Sequence, residues 1–140
     1  MKARDHLILL AGYAAWAAGD LDAMLTTFSE DVLFIVHLPR DVVPFAGEHR
    51  GKATLRAILR QILETFEIVY YSAAQIAPES DRRHSQVDFL YRHRATGLEY
   101  EGSTRHIWRV ERHQIVYFEE YHDTERMRSY FNLLATHPAS

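Results

Sequence analysis

The segment Gln114 to Asp123 reads Gln-Ile-Val-Tyr-Phe-Glu-Glu-Tyr-His-Asp and holds the residues best suited to acid–base chemistry. In a strand, side chains alternate between faces, so Val116, Phe118, Glu120 and His122 share one face while Tyr117, Glu119, Tyr121 and Asp123 share the other. A carboxylate among aromatic residues must be partnered, protonated or wetted. Glu120 is therefore either a solvated rim residue or a general base whose pKa its surroundings raise towards neutrality. His122, one pleat away, suits tuning or gating better than reaction.

The partners of Glu120 follow from strand pairing. A three-residue turn at Glu111 to His113 sets Trp108 opposite Val116, His106 opposite Phe118, Thr104 opposite Glu120 and Gly102 opposite His122. Trp108, Val110, Val116 and Phe118 then form an inward face, while Arg105 pairs with Glu119 outside. His106 is either a histidine satisfied by Thr104 or a backbone group, or a donor to a ligand carbonyl. A three-residue loop at Ala95 to Gly97 would bring Asp88 beside Thr104 and Gln86 beside His106, with Asp88 about 10 Å from Glu120 at Cβ. Binary patterning instead turns Val87, Phe89 and Tyr91 inward as an apolar wall. Both readings of that strand stay open.

Other chemistries fit less well. His106, His122 and Glu120 have the composition of a two-histidine, one-carboxylate metal triad, but the local histidine spacings of metal sites are missing, so no metal is expected. The absence of cysteine excludes disulfides and thiolate chemistry. Ser72, Ser80, Ser85 and Ser103 lie in no strand-turn-helix elbow, and no glycine-rich phosphate loop occurs.

The elements that must carry these residues are legible from periodicity. Leu7, Leu10, Ala11, Ala14 and Ala18 follow helical spacing up to a Gly19 cap, which favours a cytoplasmic helix over a signal peptide beginning at Met1. Asp20 or Asp22 caps a short second helix with Leu21, Met24, Leu25 and Phe28. Val32 to Leu38 is a strand stopped by Pro39, Arg40 to Gly51 a loop, and Lys52 to Thr65 a third helix with Leu55, Ile58, Leu59 and Ile62 on one stripe. Four strands follow, about Phe66 to Ala77, Arg83 to Arg94, Leu98 to Val110 and Gln114 to Asp123, the first two joined by a turn at Pro78 to Asp81. A closing helix capped by Asp123 or Thr124 carries Met127, Tyr130, Phe131 and Leu134 inward.

Helices first and a meander of strands afterwards is an α+β pattern in which the sheet curls over the helices. At 140 residues with net charge −3, one domain is expected, and scattered basic residues argue against nucleic acid. No segment is apolar for the roughly 20 residues of a membrane span. Tyr117 and Tyr121, with Phe89 and Tyr91 if these face outward, make an apolar patch suited to a sheet-to-sheet homodimer.

The strings Tyr13-Ala-Ala-Trp-Ala-Ala-Gly-Asp-Leu-Asp22, Phe28-Ser-Glu-Asp-Val32, Pro44-Phe-Ala-Gly47 with Gly51-Lys52, and Tyr121-His-Asp123 resemble the SnoaL-like branch of the NTF2-like superfamily. The resemblance implies a cone-shaped α+β fold, with a curved antiparallel sheet over three N-terminal helices, a short C-terminal helix, a deep pocket and a homodimer. In limonene epoxide hydrolase the water-activating aspartate aligns with Glu120; in ketosteroid isomerase the neutral oxyanion-hole acid aligns with His106. Asp88 falls at the hydrolase's second aspartate with a one-residue gap, and Phe89 without it. Phe34 and Val36 fall at pocket positions of the first strand, which His37 reaches only through a bulge. The isomerase helix tyrosine is matched by Gly12, with Tyr13 one position off. Neither catalytic set is intact. The expectation is a cofactor-free acid–base enzyme for a small apolar carbonyl or epoxide compound, with Glu120, His106 and Asp88 reactive. Phe34, Val36, His37, Phe89, Thr104, Trp108, Phe118 and His122 would line the pocket, and the alternative is a binding module of the same fold.

Overall fold

The computed structural model describes residues 3–79 and 82–137, the backbone alone at 3 and 75–79. The turn expected at Pro78 to Asp81 therefore lies partly outside the described residues, as do Ser80, Met1 and Lys2. The elements are α1 (Ala3–Ala17), α2 (Leu21–Leu25), β1 (Phe28–His37), β2 (Gly47–Arg50), α3 (Lys52–Thr65), β3 (Phe66–Glu79), β4 (Arg82–His93), β5 (Glu99–Glu111), β6 (Gln114–His122) and α4 (Thr124–Thr136). This is the expected α+β architecture, with six strands ordered β2-β1-β6-β5-β4-β3. Among the described residues no helix is long and apolar enough to cross a membrane.

Local signals explain where the helices stop and start. Gly19 at φ 72° closes α1 in a Schellman arrangement, its N–H donating to Trp16 O at 2.9 Å and that of Asp20 to Ala15 O at 2.9 Å. Asp20 and Asp123 then cap α2 and α4, accepting from the backbone N–H of Ala23 and Arg126, each at 3.1 Å.

The inward stripe of α1 differs from the expected one. Leu9, Gly12 and Trp16 are buried with Tyr13 beside them, whereas Leu7 and Leu10 are exposed. The stripe still has helical spacing, but it runs through Leu9, Gly12, Tyr13 and Trp16 rather than through Leu7, Leu10 and the alanines. Gly12 lies so near Thr27 that a Cβ there would stand 3.2 Å from Thr27 Oγ1.

Strand pairing also departs from expectation. β1 runs parallel to β6, with Phe34 beside Phe118 and Val36 beside Glu120. Part of the anticipated Arg40–Gly51 loop is β2, which pairs with β1 along Leu33↔Arg50 to Val36↔Gly47.

The β5–β6 turn is shorter than expected, because Glu111 pairs with Gln114 across Arg112 and His113, both at positive φ. A bulge follows between Arg109 and Val110, after which Trp108 faces Phe118, His106 faces Glu120 and Thr104 faces His122. Beyond the bulge the register differs from the expected one by two residues, so the inward face is retained. At the bulge itself Ile115 replaces Val116 in the core, and beyond it Ile107 replaces Arg105 opposite Glu119.

The β4–β5 loop is one residue longer than expected. His93 meets Leu98 across four residues, with His93 N–H donating to Leu98 O at 2.8 Å. That single residue reverses the faces of β4, setting Asp88 opposite Ser103, Val87 opposite Thr104 and Ser85, not Gln86, opposite His106.

Candidate active site

The concave sheet face and the helices enclose a cavity of about 110 Å³, comparable to volumes that admit one small ring. Its walls are largely aromatic, including Phe34, Phe89, Tyr91, Trp108 and Phe118. Phe34 and Phe118 are stacked at a centroid distance of 5.1 Å and an interplanar angle of 2°, and Trp108 leans on Phe118 at 4.2 Å. These contacts hold the inward ends of β1, β5 and β6 as one rigid wall.

The polar groups gather on β5 and β6. Glu120 accepts from His122 Nε2 at 3.0 Å, and its other oxygen lies 3.6 Å from His106 Nε2. His106 is almost wholly buried, and that Nε2 has no hydrogen-bond partner among the described residues. Its Nδ1 lies 3.0 Å from the Tyr13 hydroxyl, which also receives the Trp108 indole N–H at 2.6 Å.

This chain determines a tautomer. The Trp108 nitrogen can only donate, so Tyr13 accepts there and has its own proton free for His106 Nδ1. An Nε2 lone pair aimed at the Glu120 carboxylate would be repelled, whereas an Nε2–H is attracted. Both arguments place the His106 proton on Nε2, facing Glu120 and the cavity.

The electrostatics agree. Burial pushes the His106 pKa down to about 4, against the opposing pull of Glu120, so the ring is neutral at neutral pH. Burial also pushes the Tyr13, Tyr71 and Tyr91 hydroxyls well above their ordinary range, leaving them protonated. For Glu120, burial raises the pKa, but the His122 hydrogen bond and the positive fields of His122 and His106 outweigh it. With His106 neutral, the lowered value rests on His122. Glu120 is thus an ionised carboxylate held below its usual range, not one raised towards neutrality as the aromatic setting suggested.

Of the expected site residues, Glu120, His106, His122, Thr104, Phe34, Phe89, Trp108 and Phe118 line the cavity. Val36 is buried beside Glu120 but lies behind the lining. Thr104 donates to Tyr121 O at 2.7 Å and leaves His106 to Tyr13.

Two residues lie elsewhere. Asp88 is exposed on the outer face, accepting from Ser103 Oγ at 2.6 Å, because the longer β4–β5 loop reverses its strand. His37 also points outward, its Nε2 2.7 Å from Glu119 and its ring stacked on Tyr121 at 4.1 Å, since β1 keeps an unbroken register with β6 from Leu33 to His37. Phe89 and Tyr91 face the cavity rather than the outer patch, and Trp16 donates to the Tyr91 hydroxyl at 3.0 Å. Tyr13 and Trp16 were missed, although Leu9, Tyr13 and Trp16 stand at helical spacing in the sequence. Among the described residues no group of three His, Asp or Glu side chains is placed to share one metal ion.

Comparison with known proteins agrees with this architecture. The family model of the SnoaL-like domain matches residues 9–118. An NTF2-like protein from Burkholderia xenovorans LB400 superposes with TM-score 0.75 at 25% identity, covering 92% of this chain and 96% of its own. TerC, co-crystallised with polyporic acid, gives TM-score 0.77 at 16% identity, with 93% and 99% covered. A provisionally assigned polyketide cyclase from Xanthomonas campestris pv. campestris gives 0.74 at 18%, with 91% and 96% covered. No curated protein matches the chain.

Proposed function

Because the chain belongs to the SnoaL-like domain family, we propose that its cavity takes a small, largely apolar carbonyl compound and enolises it by cofactor-free acid–base chemistry. The observation that carries this reading is a His106 Nε2–H that has no hydrogen-bond partner among the described residues and stands 3.6 Å from an ionised Glu120 oxygen. A carbonyl oxygen that approaches Nε2 from the cavity accepts the His106 proton as a hydrogen bond while Glu120 faces the adjacent carbon. The α-proton passes to the carboxylate, the C–H electron pair forms C=C, and the carbonyl π pair becomes an oxyanion held by the N–H. Isomerase and cyclase reactions both begin with this step.

A low Glu120 pKa does not disqualify it as the base, since carboxylate bases of pKa about 4.6 suffice where the oxyanion is stabilised. Epoxide opening fits less well. That reaction must protonate its leaving oxygen, a neutral imidazole is a poor source of a full proton, and the expected donor Asp88 lies outside the cavity.

The test is exchange of α-protons for deuterium in a panel of small aryl ketones, followed by NMR. The wild type should exchange a subset of them, and Glu120→Gln should lose that exchange while keeping the fold. Equal exchange by the variant would remove Glu120 as base. The second reading, a binding module without chemistry, is favoured by the His122 bond that already occupies Glu120; it predicts saturable ketone binding with no exchange in either protein. A sheet-to-sheet homodimer is part of the same proposal, supported by exposed Tyr70 and Tyr121 outside the cone and tested by sedimentation.

A further inference from the structure

A second cavity, of about 420 Å³, lies on the outer face of the sheet where β5 turns into β6. It arises from a break in strand pairing. Phe28 pairs with Ile115 and Leu33 with Tyr117, so four residues of β1 stand against one of β6 and the strands part between them. Ser29, Arg50, Arg109, Arg112, Asp31 and Glu111 line the opening.

Two buried polar atoms in this lining have no hydrogen-bond partner among the described residues. One is Ser29 Oγ, on a residue only 6% exposed, and the other is Arg109 Nε. Arg109 Nε is ion-paired with Glu111 at 3.6 Å, beyond hydrogen-bond reach, and its guanidinium lies over the Tyr117 ring at 5.8 Å. Arg50 spends one N–H on Asp31 O at 3.4 Å. Arg112 is placed at the rim by a turn in which it and His113 hold φ of 49° and 64°, a conformation costly for residues other than glycine. Both of these groups lack a hydrogen bond and can donate one, and three arginines exceed two acids, a local positive excess in a chain of net charge −3. An apolar ligand would leave these donors unsatisfied and a cation would be repelled. An oxyanion supplies both acceptors and charge.

We propose that this groove is a binding site for a small oxyanion, the phosphate or carboxylate group of a soluble molecule, held by Ser29 Oγ and Arg109 Nε with Arg50 and Arg112 at the rim. The site is separated from the aromatic cavity by the sheet and does not depend on the chemistry assigned there.

The experiment titrates the full chain with inorganic phosphate, and in parallel with acetate, at constant ionic strength set by chloride. The Arg109 Nε–H and Ser29 amide resonances are followed by ¹⁵N NMR. A saturable shift confined to the groove is expected with at least one anion, and the pair tells tetrahedral from planar ligands. Arg109→Gln and Ser29→Ala should each weaken it about tenfold or more, with the His106 ring signals unchanged as a check on the fold. A linear shift equal to that of chloride would overturn the proposal, as would saturable binding that both variants retain. So would resonances that respond to protein concentration and to neither anion, which would assign the groove to self-association.

Discussion

Tyr13 and His106 lie 93 positions apart in the chain, yet the Tyr13 hydroxyl stands 3.0 Å from His106 Nδ1 and decides which face of the imidazole carries the proton. The contact joins α1 to the sheet at the floor of the cavity. Tyr13→Phe should therefore release His106 from its Nε2–H tautomer, visible as a change in its imidazole ¹⁵N shifts. Leaving Nδ1 and the Trp108 N–H without their partner should cost about 1–3 kcal/mol in denaturant unfolding. Unaltered ¹⁵N shifts would show that Glu120 alone sets the tautomer.

The pH dependence of stability follows from the same buried ring. An unfolded histidine protonates near 6.5 and the folded His106 near 4, so between these values the unfolded chain binds more protons. Stability contributed by the neutral ring is complete above pH 6.5 and is lost as pH falls towards 4, by about 3 kcal/mol at the acid limit. Glu120, lowered from 4.5, adds its own loss below that value. Urea unfolding across this window should show the decline, with a shallower slope in His106→Gln.

The strained β5–β6 turn predicts a gain. His113 at φ 64° occupies a position that glycine takes without steric cost. His113→Gly should stabilise the protein by about 1 kcal/mol, less whatever the exposed 3.1 Å contact with Arg4 contributes. Thermal melts of the two proteins check this.

Asp88 supplies the control for the β4 register. Exposed and, among the described residues, bonded only to Ser103 Oγ, it should tolerate Asp88→Asn with a stability change within about 0.5 kcal/mol. Ketone exchange should be unaffected; a large loss would restore the inward register and the donor role that goes with it.

The long strands, the closing helix and the inward direction of Phe118, Glu120, His106 and Trp108 were legible because they rest on local alternation, which a two-residue change of register leaves intact. The stripe of α1 was misread because alanines carry little directional information, while the partners of Tyr13 and Trp16 lie far along the chain.

The sequence by itself determined the α+β order, the composition of the strand that carries Glu120, and the absence of thiol chemistry. Tertiary structure alone decided the rest, through two turns. One residue more in the β4–β5 loop sends Asp88 out, and one fewer in the β5–β6 turn, with its bulge, brings His106 directly opposite Glu120. Side-chain direction alternates with every residue, so a loop's length controls it absolutely; on β4 the apolar pattern of Val87, Phe89 and Tyr91 pointed to the observed face, and the loop length decided between that reading and its opposite. The state of His106 required the fold as well, because its neutrality comes from burial and its tautomer from a hydroxyl on another element.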